Sequence, residues 1–445
     1  MREAAVRGAA ARLLERVDGY EMSLALSAEA AGTRVPMPLS SDVQVPESGA
    51  LARLRGAAVE GDLEACCQLG RCYARGWGGP RDERQAFHWF LRAARGGHDE
   101  AAFRAARLLL GKAGPADSAE DVRYALQRAA YGGHIEAQAL LGWCHQRGRL
   151  VESLDQRAAI EWLQRAAQAG SASGRYFLAL NLQQGLGVHR DECAAVVLLE
   201  LAAEQGDVRA QLALGRALSE GRGVPRDAAA ALAWYRIAAS RGYGRAQYHL
   251  GLLLAGGAAP DQDDEEAACW IHAAAEQGLA KAQYTLASLY ERGFGLPQDL
   301  HAAQSWLERA ARAGHVKSQW RLSRWLKRAG QSAVALRWLE AAAEGGYGPA
   351  QFSLARHHLK LGTDSARLPA YLWFCRAAVS GHVQAIYCVG VCHYQGVGTE
   401  RDSIEAYRWF QHAGMLGSSA ALEAMAKLAG RSGPAQLTQV RGPAA

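Results

Sequence analysis

The sequence contains little proline and no long apolar run, and both absences limit the fold class. Only 12 of its 445 residues are proline, and no segment approaches the roughly 18 consecutive apolar residues of a membrane-spanning helix. The β-branched residues form no runs that would predict a sheet. We therefore expect an all-α chain without a membrane-spanning segment.

The cysteines and the N-terminus show no sign of secretion. The nine cysteines are an odd number without the spacing of a disulfide framework. The first 24 residues form no continuous apolar core of signal-peptide length, and Glu3, Glu15 and Asp18 argue against a transit peptide. We expect a cytoplasmic protein. Its net charge of +6 is small for this length and does not by itself indicate nucleic-acid binding.

A catalytic constellation is also missing. Gly221 and Gly223 resemble a phosphate-binding loop, but an apolar run with helical spacing precedes them, and no Lys-Ser/Thr pair follows. Similar loops recur near residues 76, 185, 293 and 396, which indicates connections between helices. No G-x-S-x-G motif occurs. We predict that the chain is not an enzyme and binds no cofactor.

A small residue recurs along most of the chain at intervals of 32 to 37 residues. The positions are Ala65, Ala101, Ala137, Gly174, Ala210, Ala246, Ala282, Ser318, Ala350, Ala385 and Ala421. We number this residue as position 0 of each repeat. A period in this range is typical of helical repeats that bury their apolar faces against one another.

Within each repeat the pattern predicts two helices. Position 4 is leucine in eight of ten repeats, and position 5 is small, which allows a neighbouring helix to approach closely. A tryptophan recurs in the second helix, as in Trp89 and Trp306, and its spacing favours a role in core packing. A glycine such as Gly97 or Gly242 ends that helix, as expected for a C-cap.

This combination of motifs resembles the Sel-one-like repeat (SLR) family, a relative of the tetratricopeptide repeat. The clearest copy, A-Q-x-x-L-G…G-x-G-V-x-x-D…A-x-x-W-Y…A-A…G, extends from Ala210 to Gly242. The resemblance covers residues 65–420. It implies an α/α superhelical solenoid, here of about ten two-helix units, that acts as an adaptor for other proteins.

The flanking segments suggest how the array ends. Residues 1–31 are predicted to contain a helix, which is either an extra cap or a docking segment, and residues 32–49 form a linker rich in proline and serine. The solenoid is predicted over residues 50–430. It comprises a half-unit cap at 50–64, the repeats at 65–420 and a cap helix at 421–430. Residues 431–445 are predicted to be a disordered tail.

The periodicity of the first helices predicts a binding groove. Positions 2, 6, 9 and 10 lie opposite the leucine core of each first helix. The predicted groove residues are Arg71, Arg75, Arg107, Trp143, Arg147, Arg216, Arg292, Arg324, Arg328 and Arg356. Cations interleaved with the aromatic residues of position 2 would suit an acidic or extended segment of a partner protein.

Other interpretations of the same residues stay open. The aromatics of position 2 would also pack between repeats, and cations near a helix C-terminus complement its dipole without any ligand. Nucleic acid would use the same cations, but Glu220 and Glu291 interrupt them and no reading motif occurs.

Two further functions are alternatives to the adaptor. One is a metal-dependent or enzymatic regulator centred on Cys375, Cys388, Cys392 and His393. The other is an exported effector. The sequence does not specify the oligomeric state.

Overall fold

The computed structural model describes residues 48–111, 115, 118–151, 153–256 and 263–432. Within these residues it contains 22 helices and no strand. The chain divides into two compact units, residues 1–270 and residues 271–445. The predicted N-terminal helix, the linker up to residue 47 and the tail from residue 433 lie outside the described residues.

In the first unit, consecutive helices pack against each other in pairs. The helices are α1 (Ser48–Glu60), α2 (Leu63–Arg75), α3 (Glu83–Gly96), α4 (Asp99–Leu110), α5 (Ala119–Tyr131), α6 (Ile135–Arg147), α7 (Gln156–Gln168), α8 (Ala172–Gln184), α9 (Glu192–Glu204), α10 (Val208–Glu220), α11 (Ala228–Ser240) and α12 (Gly244–Ala255). The boundary between the two units falls within α13 (Asp264–Glu276).

The second unit continues the same arrangement. Its helices are α14 (Ala280–Arg292), α15 (Leu300–Arg312), α16 (Val316–Arg328), α17 (Ser332–Glu344), α18 (Gly348–Leu361), α19 (Asp364–Val379), α20 (Val383–Gln395), α21 (Ser403–Met415) and α22 (Ser419–Ser432). Even-numbered helices from α2 to α20 are the first helices of the repeats, and the odd-numbered helices that follow them are the second helices. The predicted all-α solenoid is confirmed.

The turns between helices depend on side-chain caps and on glycine. Most second helices that follow a glycine loop begin at an aspartate, such as Asp191, whose carboxylate accepts hydrogen bonds from two backbone amides of the first turn. Gly223 has φ +65°, and a Cβ there would lie 2.4 Å from the carbonyl oxygen of Glu192. The loop after Glu220 therefore connects two helices, because only glycine fits this close contact.

The predicted core positions of the first helices are buried. The leucines of position 4 are buried, and Leu69 and Leu250 have no exposed surface. Position 5 is small for the expected reason: a Cβ on Gly215 would lie 2.6 Å from Cε1 of Tyr235 in the paired second helix. First and second helices thus approach more closely than a larger residue would allow.

The tryptophans of the second helices are less buried than the sequence interpretation required. Trp162 and Trp306 are buried, whereas the other six are half-buried. The deepest position belongs to the next residue, which is buried at Phe90, Leu126, Leu163, Leu199, Tyr235, Ile271, Leu307, Phe374 and Phe410. This residue shares a helix face with the Ala-Ala pair three and four positions later, so it faces the core directly.

A glutamine at position 1 links successive repeats. The Nε2 of Gln283 donates to the carbonyl oxygen of Ala275 at 3.1 Å, and Gln319 donates to Ala311 at the same distance. The acceptor lies in the preceding second helix. Gln138, Gln211, Gln247 and Gln351 make the equivalent bond. Each bond satisfies a backbone carbonyl near a helix C-terminus, which explains the A-Q pair of the repeat.

Candidate functional site

The first helices of the second unit carry charge of almost one sign. Helices α14, α16, α18 and α20 contain nine lysines and arginines and one carboxylate, Glu291. The cations are Lys281, Arg292, Lys317, Arg321, Arg324, Lys327, Arg328, Arg356 and Lys360. The second helices α15, α17, α19 and α21 carry six cations and five carboxylates. Among these helices, most of the excess positive charge therefore lies on the first helices.

Helix α16 shows how these cations are arranged. Lys317, Arg321, Arg324 and Arg328 occupy positions −1, 3, 6 and 10. At about 100° per residue these positions fall within an arc of about 60°, on the side away from the buried Leu322. We call the surface formed by positions −1, 2, 3, 6 and 10 of the first helices the first-helix face.

Side chains of this face connect neighbouring first helices. The Nη1 of Arg321 donates to Ser288 Oγ at 2.8 Å, and its other terminal nitrogen pairs with Glu291. The guanidinium carbon lies 5.4 Å from the centre of the Tyr284 ring. Arg321 of α16 is therefore held against α14, and it neutralises Glu291, which lies at position 9 of α14.

The aromatic residues of position 2 pack between repeats, as one of the open interpretations proposed. The Tyr284 ring lies 4.9 Å from His315, and Phe352 lies 4.6 Å from His382. Both histidines precede the following first helix. The aromatics also support cations of their own helix: Arg324 lies 4.9 Å from the Trp320 ring.

The environment of His315 reflects the positive charge of this face. Burial, reinforced by the charges of Lys317 and Lys281, lowers the pKa of His315 to about 4. These two lysines belong to successive first helices, α16 and α14. The positive potential therefore extends from one repeat to the next.

Position 10 supplies one exposed cation to each of three successive first helices. These are Arg292 on α14, Arg328 on α16 and Lys360 on α18. In the described part of the second unit, no ion pair is recorded for any of the three. Unlike Arg321, they remain available to an external anion.

Several predicted groove residues of the first unit already contact other side chains of the chain. Arg71 pairs with Glu100 at 3.4 Å, and Arg107 lies 5.7 Å from the Phe103 ring. Arg75 is exposed beside the ring of Trp77, at 4.6 Å. Arg147 and Arg216 are half-buried.

The prediction that Trp143 contacts a partner is wrong. Its side chain is 1% exposed. Helix α6 contacts both α4 and α8 directly, and position 6 of the third and fourth repeats, Trp143 and Leu180, is buried.

Three cations of the first-helix face were missed by the sequence analysis: Lys281, Lys317 and Arg321. They occupy positions −1 and 3, which were not assigned to the groove. The same helical period places these positions beside positions 6 and 10, so a full helical wheel would have identified them.

The cysteine and histidine cluster of the ninth and tenth repeats gives little support to a metal site. Within the described residues, no group of three or more His, Cys, Asp or Glu side chains is placed to hold a metal ion. Burial raises the pKa of Cys392 to about 12 and that of Cys388 to about 11. His393 Nε2 instead lies 3.2 Å from the hydroxyl of Tyr371. These residues behave as packing groups.

No helix in the described parts of the chain is both long and apolar enough to cross a membrane. None of the curated proteins matches the chain. Among solved structures, it is similar to a protective antigen of uropathogenic Escherichia coli strains that displays an SLR fold. The identity is 30%, the match covers 85% of this chain and 82% of the antigen, and the TM-score is 0.51.

A Sel1 repeat protein from Oxalobacter formigenes is 29% identical over 51% of this chain and 93% of its own, with a TM-score of 0.46. The family model described as the Sel1 repeat matches eight segments, which together exceed half of the chain. They are residues 63–98, 135–171, 172–207, 208–243, 244–279, 280–315, 317–347 and 383–418. Sel1 repeat solenoids are typical of protein-interaction scaffolds. The chain belongs to the Sel1 repeat (SLR) family.

Proposed function

We propose that the chain is a non-enzymatic adaptor that binds an acidic, extended segment of a partner protein on the first-helix face of its second unit. The observation that carries this proposal is the nine cations against one carboxylate on α14, α16, α18 and α20. Carboxylates bind guanidinium groups through paired, charge-assisted hydrogen bonds. The first unit supplies the rest of the scaffold.

Compartment and thiol state fit the same proposal. All nine cysteines lie within the described residues, and none of them forms a disulfide there. Burial raises the pKa of Cys144 to about 12 and that of Cys67 to about 11, which keeps these thiols protonated at neutral pH. We assign the adaptor to the reducing environment of the cytoplasm.

A glutamate-rich peptide tests the binding surface directly. Fluorescence anisotropy of a labelled 12-residue peptide would be compared between the wild type and a variant with Arg324→Glu, Arg328→Glu and Arg356→Glu. These three arginines are exposed, so the variant should keep its helical circular dichroism. We expect binding by the wild type and its loss in the variant.

A matched control separates the surface from net charge. The triple variant Arg312→Glu, Arg337→Glu and Arg367→Glu makes the same charge change at exposed positions of the second helices. It should bind the peptide within about twofold of the wild type, because distant exposed charges are screened at physiological salt. Equal losses in both variants would contradict a defined site on the first-helix face.

A further inference from the structure

The two ends of the described helical array each present one half of a repeat. Helix α22 continues the first-helix pattern, with Ala421 at position 0 and the small Ala426 at position 5. Helix α1 has the pattern of a second helix, in which a bulky residue is followed by two alanines and a glycine at fixed spacing. In α1 these residues are Leu54, Ala57, Ala58 and Gly61, and in α3 they are Phe90, Ala93, Ala94 and Gly97. The described array thus starts with a second helix and ends with a first helix.

The hydrogen bonds at the end of α1 are those of a second helix. The amide of Asp62 donates to the carbonyl oxygen of Ala57 at 3.0 Å, as the amide of His98 donates to that of Ala93 at 3.1 Å. Gly61 has φ +104°, in the left-handed region. Helix α1 also packs against α2, the first helix that follows it. It therefore occupies the place of a second helix, but no first helix precedes it among the described residues.

One face of α1 is consequently more open than in the complete repeats. In all ten second helices from α3 to α21, the alanine three positions after the bulky residue has no exposed surface. Its counterpart in α1, Ala57, is half-buried. Leu54 is half-buried too, whereas Phe90 in α3 is 2% exposed. The open face of α1 is therefore the one that a first helix covers in other repeats.

Helix α22 is open at the matching position. Position 5 is buried in all ten repeats, and at Gly215 it lies against the bulky Tyr235 of the paired second helix. On α22 the same position, Ala426, is exposed, and the adjacent Met425 is half-buried. No second helix follows α22 among the described residues. Helix α22 therefore presents an apolar face of the kind that accepts a second helix.

The sequence on either side of the array does not continue the repeat pattern. In most repeats the first helix begins 20 residues before the second. Because α1 begins at Ser48, that spacing would start a first helix at residue 28, and 13 residues from there include Pro36 and Pro38. Proline breaks the hydrogen-bond ladder of a helix interior. Residues 433–445 contain no bulky residue followed three and four positions later by alanines.

We propose that these two faces bind each other between copies of the chain. Helix α1 of one copy packs on α22 of the next, with Leu54 against Ala426, and the two helices together complete one repeat. The interface between a first and a second helix already recurs along the array, so each end matches a surface that the chain itself supplies. The contact joins unlike faces, so the copies associate head to tail. This association is independent of the acidic partner segment proposed above.

Two charged substitutions, one at each end, test the association with the full chain. Ala426→Arg places a cation on the open face of α22, and Leu54→Arg places one on that of α1. A single helix pair is a small interface, so we expect the wild type to associate with a dissociation constant on the order of 10 µM. Sedimentation velocity from about 1 to about 100 µM covers this range. Each variant alone should keep its helical circular dichroism and stay monomeric.

An equimolar mixture of the two variants gives the sharpest result. It retains one intact pair of faces, α1 of the Ala426→Arg chain and α22 of the Leu54→Arg chain. We therefore expect a 1:1 dimer and no larger species, and this dimer would also show that neither substitution unfolds the chain. The controls are Ala52→Arg and Ala333→Arg, at exposed positions of α1 and α17, and both should associate like the wild type.

Three results would overturn the head-to-tail contact. A wild type that stays monomeric at the highest concentration would leave the two faces to residues 1–31 or to another protein. Association of either variant alone would place the contact between copies elsewhere on the chain. A mixture that stays monomeric while the wild type associates would show that α1 and α22 do not bind each other.

Discussion

The two units share one packing pattern and differ in the charge of their first helices. The six first helices of the first unit carry nine cations and five carboxylates, whereas the four of the second unit carry nine cations and one carboxylate. Core and surface positions lie on different sides of each helix, so the surface can change without altering the fold. The comparison separates residues that build the solenoid from residues available to a partner.

Position −1 shows the difference most clearly. It is glutamate in the first three repeats, at Glu64, Glu100 and Glu136, and lysine in the seventh and eighth, at Lys281 and Lys317. In the first unit each glutamate bonds to the residue that caps the next first helix. The pairs are Glu64 with His98, Glu100 with His134 and Glu136 with Ser171.

The pKa values of two capping histidines, His134 and His315, shift in opposite directions. The hydrogen bond to Glu100 raises the pKa of His134, and the carboxylate's charge adds to this effect. Burial, together with the charges of two lysines that stand in the place of the glutamates, lowers the pKa of His315 to about 4. Position −1 thus connects the first three repeats electrostatically, whereas at the seventh and eighth repeats it adds positive charge.

The largest expected effect is a loss of peptide affinity when the charge of the first helices of the second unit is reversed. Reversing Arg324, Arg328 and Arg356 to glutamate should weaken binding of the glutamate-rich peptide on the order of 100-fold, because each exposed pair changes from attraction to repulsion at roughly 1 kcal/mol. Reversing Arg71, Arg107 and Arg216 in the first unit should weaken it less than threefold. Parallel anisotropy titrations measure both. A larger loss from the first-unit variant would place the binding site there.

The packing positions should behave alike in both units. Gly215→Ala would bring a Cβ to 2.6 Å from Cε1 of Tyr235, and Gly390→Ala would bring one to 2.7 Å from Cδ1 of Phe410. Each should lower the free energy of unfolding by about 2 kcal/mol, as overpacking does. Gly79→Ala, which meets no atom within 4 Å, is the control. Urea denaturation followed by circular dichroism compares them, and a cost at only one of the two positions would refute equal packing.

These packing residues were the most predictable part of the fold. Alanine, leucine and glycine recur at fixed positions about every 36 residues. This recurrence identifies the first helices, because buried positions admit few residue types. The second helices were less transparent. The recurring tryptophan, such as Trp89, is the most conspicuous residue of the second-helix pattern, yet Phe90 is more buried. In the sequence, only the spacing of Phe90 to Ala93 and Ala94 indicates that it faces the core.

The candidate site was predictable only in part. Arg324 and Arg356 follow from the helical period, since an exposed position depends on its own helix alone. Trp143 was assigned wrongly because its burial depends on how closely α6 and α8 approach, which one helix does not encode. The pairing of Arg71 with Glu100 likewise joins successive repeats, through residues that lie 29 positions apart in the sequence.

Lowering the pH should reduce the contribution of the Glu100 carboxylate to the stability of the first unit. Burial raises the pKa of Glu100, but the hydrogen bond from His134 and the charge of Arg104 outweigh this effect and hold the pKa at about 2. The folded pKa lies below the unfolded value, so this stabilisation is present above about pH 4.5 and is lost as the pH falls towards 2. Glu100→Gln should therefore cost roughly 2 kcal/mol at pH 6 and progressively less below pH 4.5.

Urea midpoints at pH 6, 4.5 and 3.5 measure the gap between Glu100→Gln and the wild type. Glu340→Gln, on a second helix of the second unit, provides the control and should leave the midpoint unchanged at each pH. A gap that stays constant between pH 6 and 3.5 would show that the Glu100 carboxylate contributes through shape and not through its charge.

The smallest expected effect is a change in the pKa of His315. Lys281→Glu restores at the seventh repeat the residue that position −1 carries in the first three. The substitution removes one of the two lysines that lower the pKa of His315 and places a carboxylate on the same helix. Because burial is the larger cause and persists, the midpoint should rise from about pH 4 by only about one pH unit.

Titration of the His315 ring by NMR measures it, with Lys360→Glu as a control that changes the same charge at position 10 of α18. An unchanged midpoint in Lys281→Glu would mean that burial alone sets the protonation of His315, and the charge at position −1 would then not explain the opposite behaviour of the two capping histidines.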